Sequence, residues 1–139
     1  MLHKLRHFTA ALALLLTVAC AAAPTVPTMF GEWDVTSIAG VDVVEGSPVF
    51  LRFSEDGTVS GNAGVNRLRG SWIIEDELFK VGPLGVTKMA GPAMLMDQEA
   101  NLLTAIEKVN RFDVVGGDLV LSDAGGAEVV RAAPRTVPE

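Results

Sequence analysis

Alternating hydrophobic and polar positions predict that most of this chain folds into β-strands. In residues 49–53, Val49, Leu51 and Phe53 fall on one face of an extended segment. Asp56-Gly57 follows, and this dipeptide tolerates the positive φ angles that a tight hairpin turn requires. Similar segments flank this hairpin on both sides. The predicted strands cover residues 30–38, 49–53, 58–62, 68–74, 78–81, 111–115, 119–121 and 128–131.

A helical period interrupts the strands after residue 90. Leu95, Leu102 and Ile106 recur at the spacing of a helix face, with Leu103 beside them. Pro92 suits the first turn of this helix, where its missing N–H costs no hydrogen bond. Strands, a helix and then strands again predict a mainly β (α+β) domain, in which one α-helix packs on a face of an antiparallel sheet.

The N-terminal residues have the composition of an export signal. Lys4 and Arg6 precede an apolar run over residues 8–18, which is shorter than the roughly 20 residues of a spanning helix. The run ends at Cys20, the only cysteine in the sequence, and such a boundary is typical of a lipoprotein cleavage site. We therefore predict a signal peptide over residues 1–19 and lipidation of Cys20.

Ordinary secretion is the alternative for this N-terminus, with cleavage after Ala21 or Ala23, because each ends a triplet of small residues. Residues 20–28 are rich in alanine, proline and threonine and predict an extended tether. The folded domain is expected over residues 29–134. Residues 135–139 are expected to form a disordered tail.

Removing the predicted signal peptide changes the charge and the available chemistry. Both histidines, Lys4 and Arg6 lie in the predicted signal peptide. The remaining chain has nine basic and 17 acidic residues, which gives it a formal charge of −8. An acidic surface repels phosphate backbones, which argues against nucleic-acid binding. No spacing typical of a Ca²⁺-binding loop occurs. We predict neither a metal site nor a cofactor.

Two segments have an unusual composition: residues 60–72 (SGNAGVNRLRGSW) and residues 87–99 (TKMAGPAMLMDQE). Glycine and asparagine tolerate positive φ, so the first segment is expected to turn sharply or bulge. In order and spacing the two segments resemble the META domain of HslJ-like bacterial envelope lipoproteins. The residues that carry the resemblance are Gly61, Asn62, Gly64, Asn66, Arg67, Thr87, Met89, Pro92, Gln98 and Glu99.

The chain departs from the family's pattern at two positions. Members commonly carry cysteine where Val65 and Gly91 stand here. If these two cysteines form a disulfide in other members, the absence of both in this chain leaves no single unpaired cysteine at the site. A disulfide contributes about 2–4 kcal/mol, so packing alone must hold this part of the domain.

The resemblance implies a fold, a location and a role. The fold is a lipocalin-like half-barrel with the helix across its opening. The location is the bacterial envelope, lipid-anchored at the outer membrane and facing the periplasm. The role is a monomeric, non-catalytic contribution to envelope stress or antibiotic tolerance, through contact with an envelope protein or surface. The alternative is a carrier that holds a small hydrophobic ligand inside the half-barrel.

The side chains themselves offer little for catalysis. Histidine is absent from the expected mature chain and its cysteine is expected to be acylated, which removes the usual base and thiol nucleophile. A Ser-Lys dyad would need a serine beside Lys80, Lys88 or Lys108, and no serine lies in a turn that is typical of a catalytic nucleophile. The acidic residues at 55–56 and 75–77 are interpreted as solvated hairpin tips. The sequence therefore predicts no enzymatic activity.

Glu99 is the charged residue with the most informative position. It falls on the core-facing stripe of the predicted helix, between Leu95 and Leu102. A carboxylate there needs partners, and the backbone N–H groups of residues 64–67 can supply them. The favoured interpretation is a clamp between turn and helix. The alternative is a ligand-binding or acid–base group.

Two further groups have both a structural and a functional interpretation. A basic cluster at Arg67, Arg69 and Lys88 is either a solvated face or a site for an anion or a lipid headgroup. Methionines near the helix start are expected to fill the core, although methionine also lines adaptable partner grooves. They are Met89, Met94 and Met96.

Overall fold

A ten-stranded antiparallel sheet and helix α1 make up the part of the chain that the structure describes. The computed structural model describes residues 28–136. Helix α1 (Ala93–Glu107) lies between the seventh and eighth strands. The strands are β1 (Gly31–Ile38), β2 (Val41–Asp42), β3 (Phe50–Phe53), β4 (Thr58–Asn62), β5 (Arg67–Glu75), β6 (Leu78–Val81), β7 (Gly85–Val86), β8 (Arg111–Val115), β9 (Asp118–Ser122) and β10 (Glu128–Pro134).

Several predictions concern residues outside this range. The signal peptide over residues 1–19, the lipidated Cys20, residues 21–27 of the tether and residues 137–139 of the tail are not among the described residues. The domain boundaries therefore stay predictions. Arg135, assigned above to the tail, donates its backbone N–H to the carbonyl oxygen of Glu32 at 2.9 Å. Within residues 28–136, no helix combines the length and apolar character needed to cross a bilayer.

Strand β1 lies at the centre of the sheet and joins the two ends of the domain. The order across the sheet is β6-β5-β4-β3-β1-β10-β9-β8, with β2 paired to β1 and β7 paired to β5. The first long strand thus pairs with the last one, which brings distant parts of the sequence together. Strands β2 and β7 escape prediction, because two residues contain no alternation to detect.

The sheet curls into a half-barrel that stays open. Its edge strands β6 and β8 approach each other, and the Phe79 N–H donates to the carbonyl oxygen of Asn110 at 2.9 Å across the gap. The rings of Phe79 and Phe112 meet edge to face there, with centroids 5.3 Å apart. The predicted mainly β fold with a packed helix is confirmed.

Side chains from the inner face of the sheet and from the helix fill the half-barrel. Leu51, Leu102 and Leu119 are completely buried. The alternation predicted for β3 is confirmed, because Leu51 and Phe53 point inward while Arg52 is exposed. Burial of large aliphatic and aromatic side chains contributes about 1.5–3 kcal/mol each, so this continuous core holds sheet and helix together.

The two ends of strand β5 differ in burial. Leu68 is buried, but Ile74, on the same face by alternation, is 56% exposed. Strand β4 pairs with β5 only as far as Ser71. Beyond Ser71, the neighbour of β5 among the described strands is β6, and β4 no longer pairs with β5 there. Phe79, opposite Ile74 on β6, is buried, while Ile74 itself is left exposed. Alternation therefore no longer implies burial in this segment.

Helix α1 begins one residue after its proline. Pro92 is the N-cap, with φ −54° and ψ 136°, and its carbonyl oxygen accepts the Leu95 and Met96 N–H groups. The sequence analysis placed this proline inside the first turn, and an N-cap proline likewise removes a donor that would have no partner in the helix. Leu102 and Ile106 face the core as predicted.

Candidate functional site

The connection between β4 and β5 is a tight turn. The Ala63 N–H donates to the carbonyl oxygen of Asn66, and the Asn62 side-chain oxygen accepts the Gly64 N–H, both at 2.8 Å. Gly64 has φ +133°, a conformation that L side chains rarely adopt. Among the glycines and asparagines of this segment that the structure describes, Gly64 is the residue with positive φ. The expected sharp turn therefore depends on Gly64.

Gly61 serves a different purpose from Gly64. Its φ is ordinary, but a Cβ at this position would collide with the carbonyl oxygen of Phe50 on the neighbouring strand. Strands β3 and β4 approach each other so closely here that only glycine fits. Glycine is therefore needed at position 61 for space, and not for a positive φ.

Helix α1 presents Glu99 to this turn. Its Oε2 atom accepts the N–H groups of Val65 at 3.2 Å and Asn66 at 2.7 Å, and its Oε1 atom accepts the Asn66 Nδ2 at 2.8 Å. Glu99 is 6% exposed. The contact expected between Glu99 and the turn is present, and both carboxylate oxygens are engaged by protein donors.

Asn66 extends this network to the segment before the helix. It is 1% exposed, and its Oδ1 accepts the Met89 N–H at 2.6 Å and the Thr87 hydroxyl at 2.9 Å. Its Nδ2 also donates to the carbonyl oxygen of Met89 at 3.1 Å. Thr87 in turn accepts the Arg67 N–H at 3.1 Å. Within residues 28–136, no buried side-chain nitrogen or oxygen lacks a partner, so the network is complete.

Gln98 makes a second polar contact between α1 and a loop. Its Oε1 accepts the Val44 N–H and its Nε2 donates to the Ser47 hydroxyl, both at 2.6 Å. These bonds hold the loop between β2 and β3 against the helix. Sequence analysis found Gln98 only through the family resemblance. Its partners escaped prediction, because residues 43–48 show no periodic pattern.

The turn, the segment before the helix and the Gln98-Glu99 pair occur within a sequence that matches a known family. Residues 27–136 match the META domain profile. This chain belongs to the META domain family. No curated protein matches its sequence.

Two solved structures share the fold of this META domain at low sequence identity, and a third is more distantly similar. An NMR structure of a protein from Burkholderia xenovorans has a TM-score of 0.62 and 22% identity, covering 88% of this chain and 100% of that one. A second NMR structure has a TM-score of 0.56 and 18% identity, covering 73% and 87% of the two chains. A crystal structure of a DUF4847 family protein from Bacteroides vulgatus has a TM-score of 0.48 and 16% identity, covering 66% and 62%.

The META domain brings Val65 and Gly91 into contact. A Cβ placed on Gly91 would lie 2.6 Å from Val65 Cγ2 and 3.3 Å from Val65 Cβ. The valine methyl groups thus occupy the space that a side chain at position 91 would need. A large residue and a small residue pack together at the two positions where the resemblance implies cysteines.

Replacing Gly91 by alanine tests this packing. Because the new methyl group would press on a side chain that can rotate, we expect the free energy of unfolding to fall by about 1–2 kcal/mol. In a Val65→Ala background the same replacement should cost less than about 0.5 kcal/mol, since the obstructing methyl groups are gone. Urea unfolding of the four proteins in this cycle measures the coupling. Equal costs in both backgrounds would contradict the contact.

The basic cluster is divided by the structure. Arg67 and Arg69 lie side by side on the exposed outer face of β5, along an open groove of about 610 Å³ that also includes Phe50 and Ser60. Lys88 lines a separate depression beside Met89. Among the described residues, none of the three cations has a carboxylate oxygen within 4.0 Å. Both interpretations of the cluster stay open.

The methionines near the helix start are not core residues. Met94 is 66% exposed and Met89 is also exposed, while Met96 is half-buried. The prediction that they fill the core was wrong, because Met89 precedes the helix and Met94 lies in its exposed first turn. They provide apolar surface around the start of α1.

The acidic hairpin tips are exposed turns. Hydrogen bonds from Thr58 lower the pKa of the Asp56 carboxyl, with a smaller contribution from the charge of Arg69. At the second tip, Asp76 and Glu77 both have positive φ, and the neighbouring Glu75 pairs with Lys80 at 3.1 Å. No group of metal-ligating side chains occurs in residues 28–136.

A groove runs between helix α1 and the β1–β2 hairpin, outside the filled interior of the half-barrel. Its volume is about 610 Å³. We call it the α1 groove. Its hairpin wall is formed by Val41, Val43 and Val44, and its helix wall includes Asp97, Asn101 and Lys108. Sequence analysis missed this groove, because its walls come from segments that are distant in the sequence.

Proposed function

We propose that this META domain is a non-catalytic module of the bacterial envelope, lipid-anchored at Cys20 in the outer membrane. In this proposal it contributes to envelope stress or antibiotic tolerance by contacting another envelope protein or surface. The filled interior of the half-barrel carries the proposal, because Leu51, Leu119 and Leu121 occupy the space where a carrier would hold its ligand. Recognition is therefore assigned to the outer surfaces.

The turn–helix site supports a structural rather than a catalytic role. Glu99 and Asn66 are the buried polar residues in its centre, and their side-chain oxygens are bonded to donors of the same domain. A general base or acid needs an atom within reach of a substrate proton. Glu99 meets this requirement only if the turn opens, so we assign it to the clamp.

Replacing Cys20 by serine tests the anchor. Serine cannot take the thioether-linked lipid, so we expect the protein to move from the membrane fraction to the soluble fraction of the envelope. The melting temperature of the purified domain should stay unchanged, because Cys20 precedes the folded part. Fractionation followed by immunoblotting measures the distribution. Equal membrane retention of the wild type and Cys20→Ser would contradict lipid anchoring.

The carrier is the second candidate. Because the interior of the half-barrel is filled, its ligand would lie in the α1 groove and not inside the half-barrel as expected from the sequence. A volume of about 610 Å³ lies within the range of small-molecule sites. Native mass spectrometry of protein purified gently from cells measures occupancy. A bound lipid in stoichiometric amount would place the carrier ahead of the interaction module, whereas membrane pull-downs that recover a protein partner would favour the module.

A further inference from the structure

We propose that the α1 groove docks a basic amphipathic peptide segment of a partner protein. This inference rests on the proposed function, because it names the class of partner that the envelope module contacts.

The apolar part of the groove is exposed to an unusual degree. Val41 is 69% exposed and Met94 is 66% exposed, although both are large hydrophobic residues. Val43 and Val44, both half-buried, line the same groove. Exposed hydrophobic residues that cluster in this way mark interaction surfaces more often than isolated ones do.

The charged groups of the groove favour a cationic partner. Asp42 lies on the hairpin wall and Asp97 on the helix wall, both exposed. Within residues 28–136, neither has a basic group within 4.0 Å. Lys108 lies near the other end of α1, about 16 Å from Asp97 along the helix. Lysine or arginine side chains of a docked segment would pair with the two aspartates.

The helix wall favours a peptide over an acyl chain. Along α1 the groove is lined by the apolar residues Met94 and Ala105 and by a polar row formed by Asp97, Gln98, Asn101, Thr104 and Lys108. A hydrocarbon chain would remove water from these groups and supply no hydrogen bond in return, which costs free energy. An amphipathic peptide places apolar side chains against the valines and polar groups against the helix wall, so it satisfies both walls at once.

The walls of the groove are held in place before any partner arrives. The Val44 N–H is bonded to Gln98 on the helix, and the Ala39 N–H donates to the carbonyl oxygen of Val129 at 2.8 Å. These bonds fix the hairpin against both α1 and β10. A preformed groove avoids the free-energy cost of ordering a loop on binding.

The position of the groove suits a partner away from the anchored end. Ile38, the last residue of β1, lines the groove, whereas the chain enters the domain before Gly31 at the other end of that strand. The two ends are about 25 Å apart at 3.3 Å per residue. With the anchor at the N-terminus, as proposed, the groove opens at the far end of β1 from the membrane attachment.

A labelled peptide tests the proposal directly. The probe is a fluorescein-labelled 14-residue helical peptide with leucine on one face and lysine on the other. The comparison peptide keeps the leucine face and carries glutamate in place of lysine. Fluorescence anisotropy with the purified full-length protein measures both dissociation constants. We expect the lysine peptide to bind at least tenfold more tightly, and its advantage to fall as salt is added.

Matched variants locate the binding site. Asp42→Asn combined with Asp97→Asn should raise the Kd of the lysine peptide roughly fivefold, because two exposed ion pairs are lost. The control, Asp76→Asn with Asp113→Asn, removes two exposed aspartates elsewhere and should leave the Kd unchanged. Val41→Ser should weaken both peptides, whereas Val115→Ser, at an exposed valine on another hairpin, should weaken neither.

Three results would overturn the proposal: equal affinity for the two peptides, equal Kd for the groove and control variants, or displacement of the peptide by palmitate at stoichiometric amounts. The last result would assign the groove to a lipid.

Membrane pull-downs with the same variants separate this inference from the proposed function. A partner recovered equally by the wild type and by Asp42→Asn/Asp97→Asn would refute the groove but keep the interaction module, and failure to recover any partner would refute the module itself.

Discussion

Replacing Glu99 by glutamine is expected to lower the free energy of unfolding by about 3 kcal/mol, because it breaks a buried, charge-assisted hydrogen-bond network. The carboxylate accepts three N–H groups from Val65 and Asn66. An amide has only one accepting oxygen. If that oxygen takes the two backbone N–H groups, the new NH2 group faces the Asn66 Nδ2, and two donors meet in a buried site.

Rotating the amide of Asn66 does not rescue this variant. The rotation would turn its oxygen toward the new glutamine, but its NH2 group would then face the Met89 N–H. Its oxygen would also face the carbonyl oxygen of Met89, which in the wild type accepts a hydrogen bond from the Asn66 Nδ2. The conflict therefore moves from one side of Asn66 to the other, where Asn66 is mismatched with both the N–H and the carbonyl oxygen of Met89.

Thermal unfolding followed by circular dichroism measures the effect. For a domain of this size, a loss of about 3 kcal/mol corresponds to a fall in Tm of roughly 10 °C. The control is Glu107→Gln, which makes the same chemical change at an exposed position near the end of the same helix. It should change stability by less than about 0.5 kcal/mol. Equal melting of Glu99→Gln and the wild type would contradict the clamp.

Introducing cysteine at both position 65 and position 91 is expected to stabilise the domain by about 3 kcal/mol. Closing the loop between these positions removes conformational entropy from the unfolded chain worth about 3.5 kcal/mol in the chain-entropy account. A Cβ at Gly91 lies 3.3 Å from Val65 Cβ, slightly less than the separation usual in disulfides. A small backbone adjustment reaches the standard geometry, and its strain removes part of the gain.

The disulfide experiment is cleanest in a Cys20→Ser background, because no third thiol can then exchange. Thiol titration measures whether the bond forms, and melting with and without a reductant measures its contribution. We expect the oxidised double variant to melt roughly 10 °C above its reduced form. Val65→Cys alone is the control and should not respond to the reductant. Two free thiols in the oxidised sample, or equal melting in both states, would contradict the proximity of positions 65 and 91.

Local pattern predicted the strands well where one face of the sheet is buried. In β3, alternation reported burial correctly, because the core lies on one side and water on the other. The same alternation does not report burial at Ile74, which is exposed where β4 no longer pairs with β5. Periodicity describes which residues share a face, but it does not say whether that face meets other parts of the protein.

The network around Glu99 was predictable in part. A carboxylate on the apolar stripe of a helix must find donors, so its contact with a nearby turn was expected from the sequence. The central place of Asn66 in that network was not predictable from the sequence. Its partners Thr87 and Met89 become its neighbours only when β7 pairs with β5. Long-range pairing of this kind leaves no local signature.

The sequence by itself determined eight of the ten strands, the helix, a sharp turn within residues 60–72 and the family, since these depend on local periodicity, glycine conformation and motif order. Only the tertiary structure decided that Val65 packs on Gly91, that core side chains fill the half-barrel, and that a groove forms between α1 and the β1–β2 hairpin. Each of these features joins segments that are far apart along the chain. Their formation depends on how the sheet curls and where the helix packs, and hydrophobic burial over the whole domain determines both.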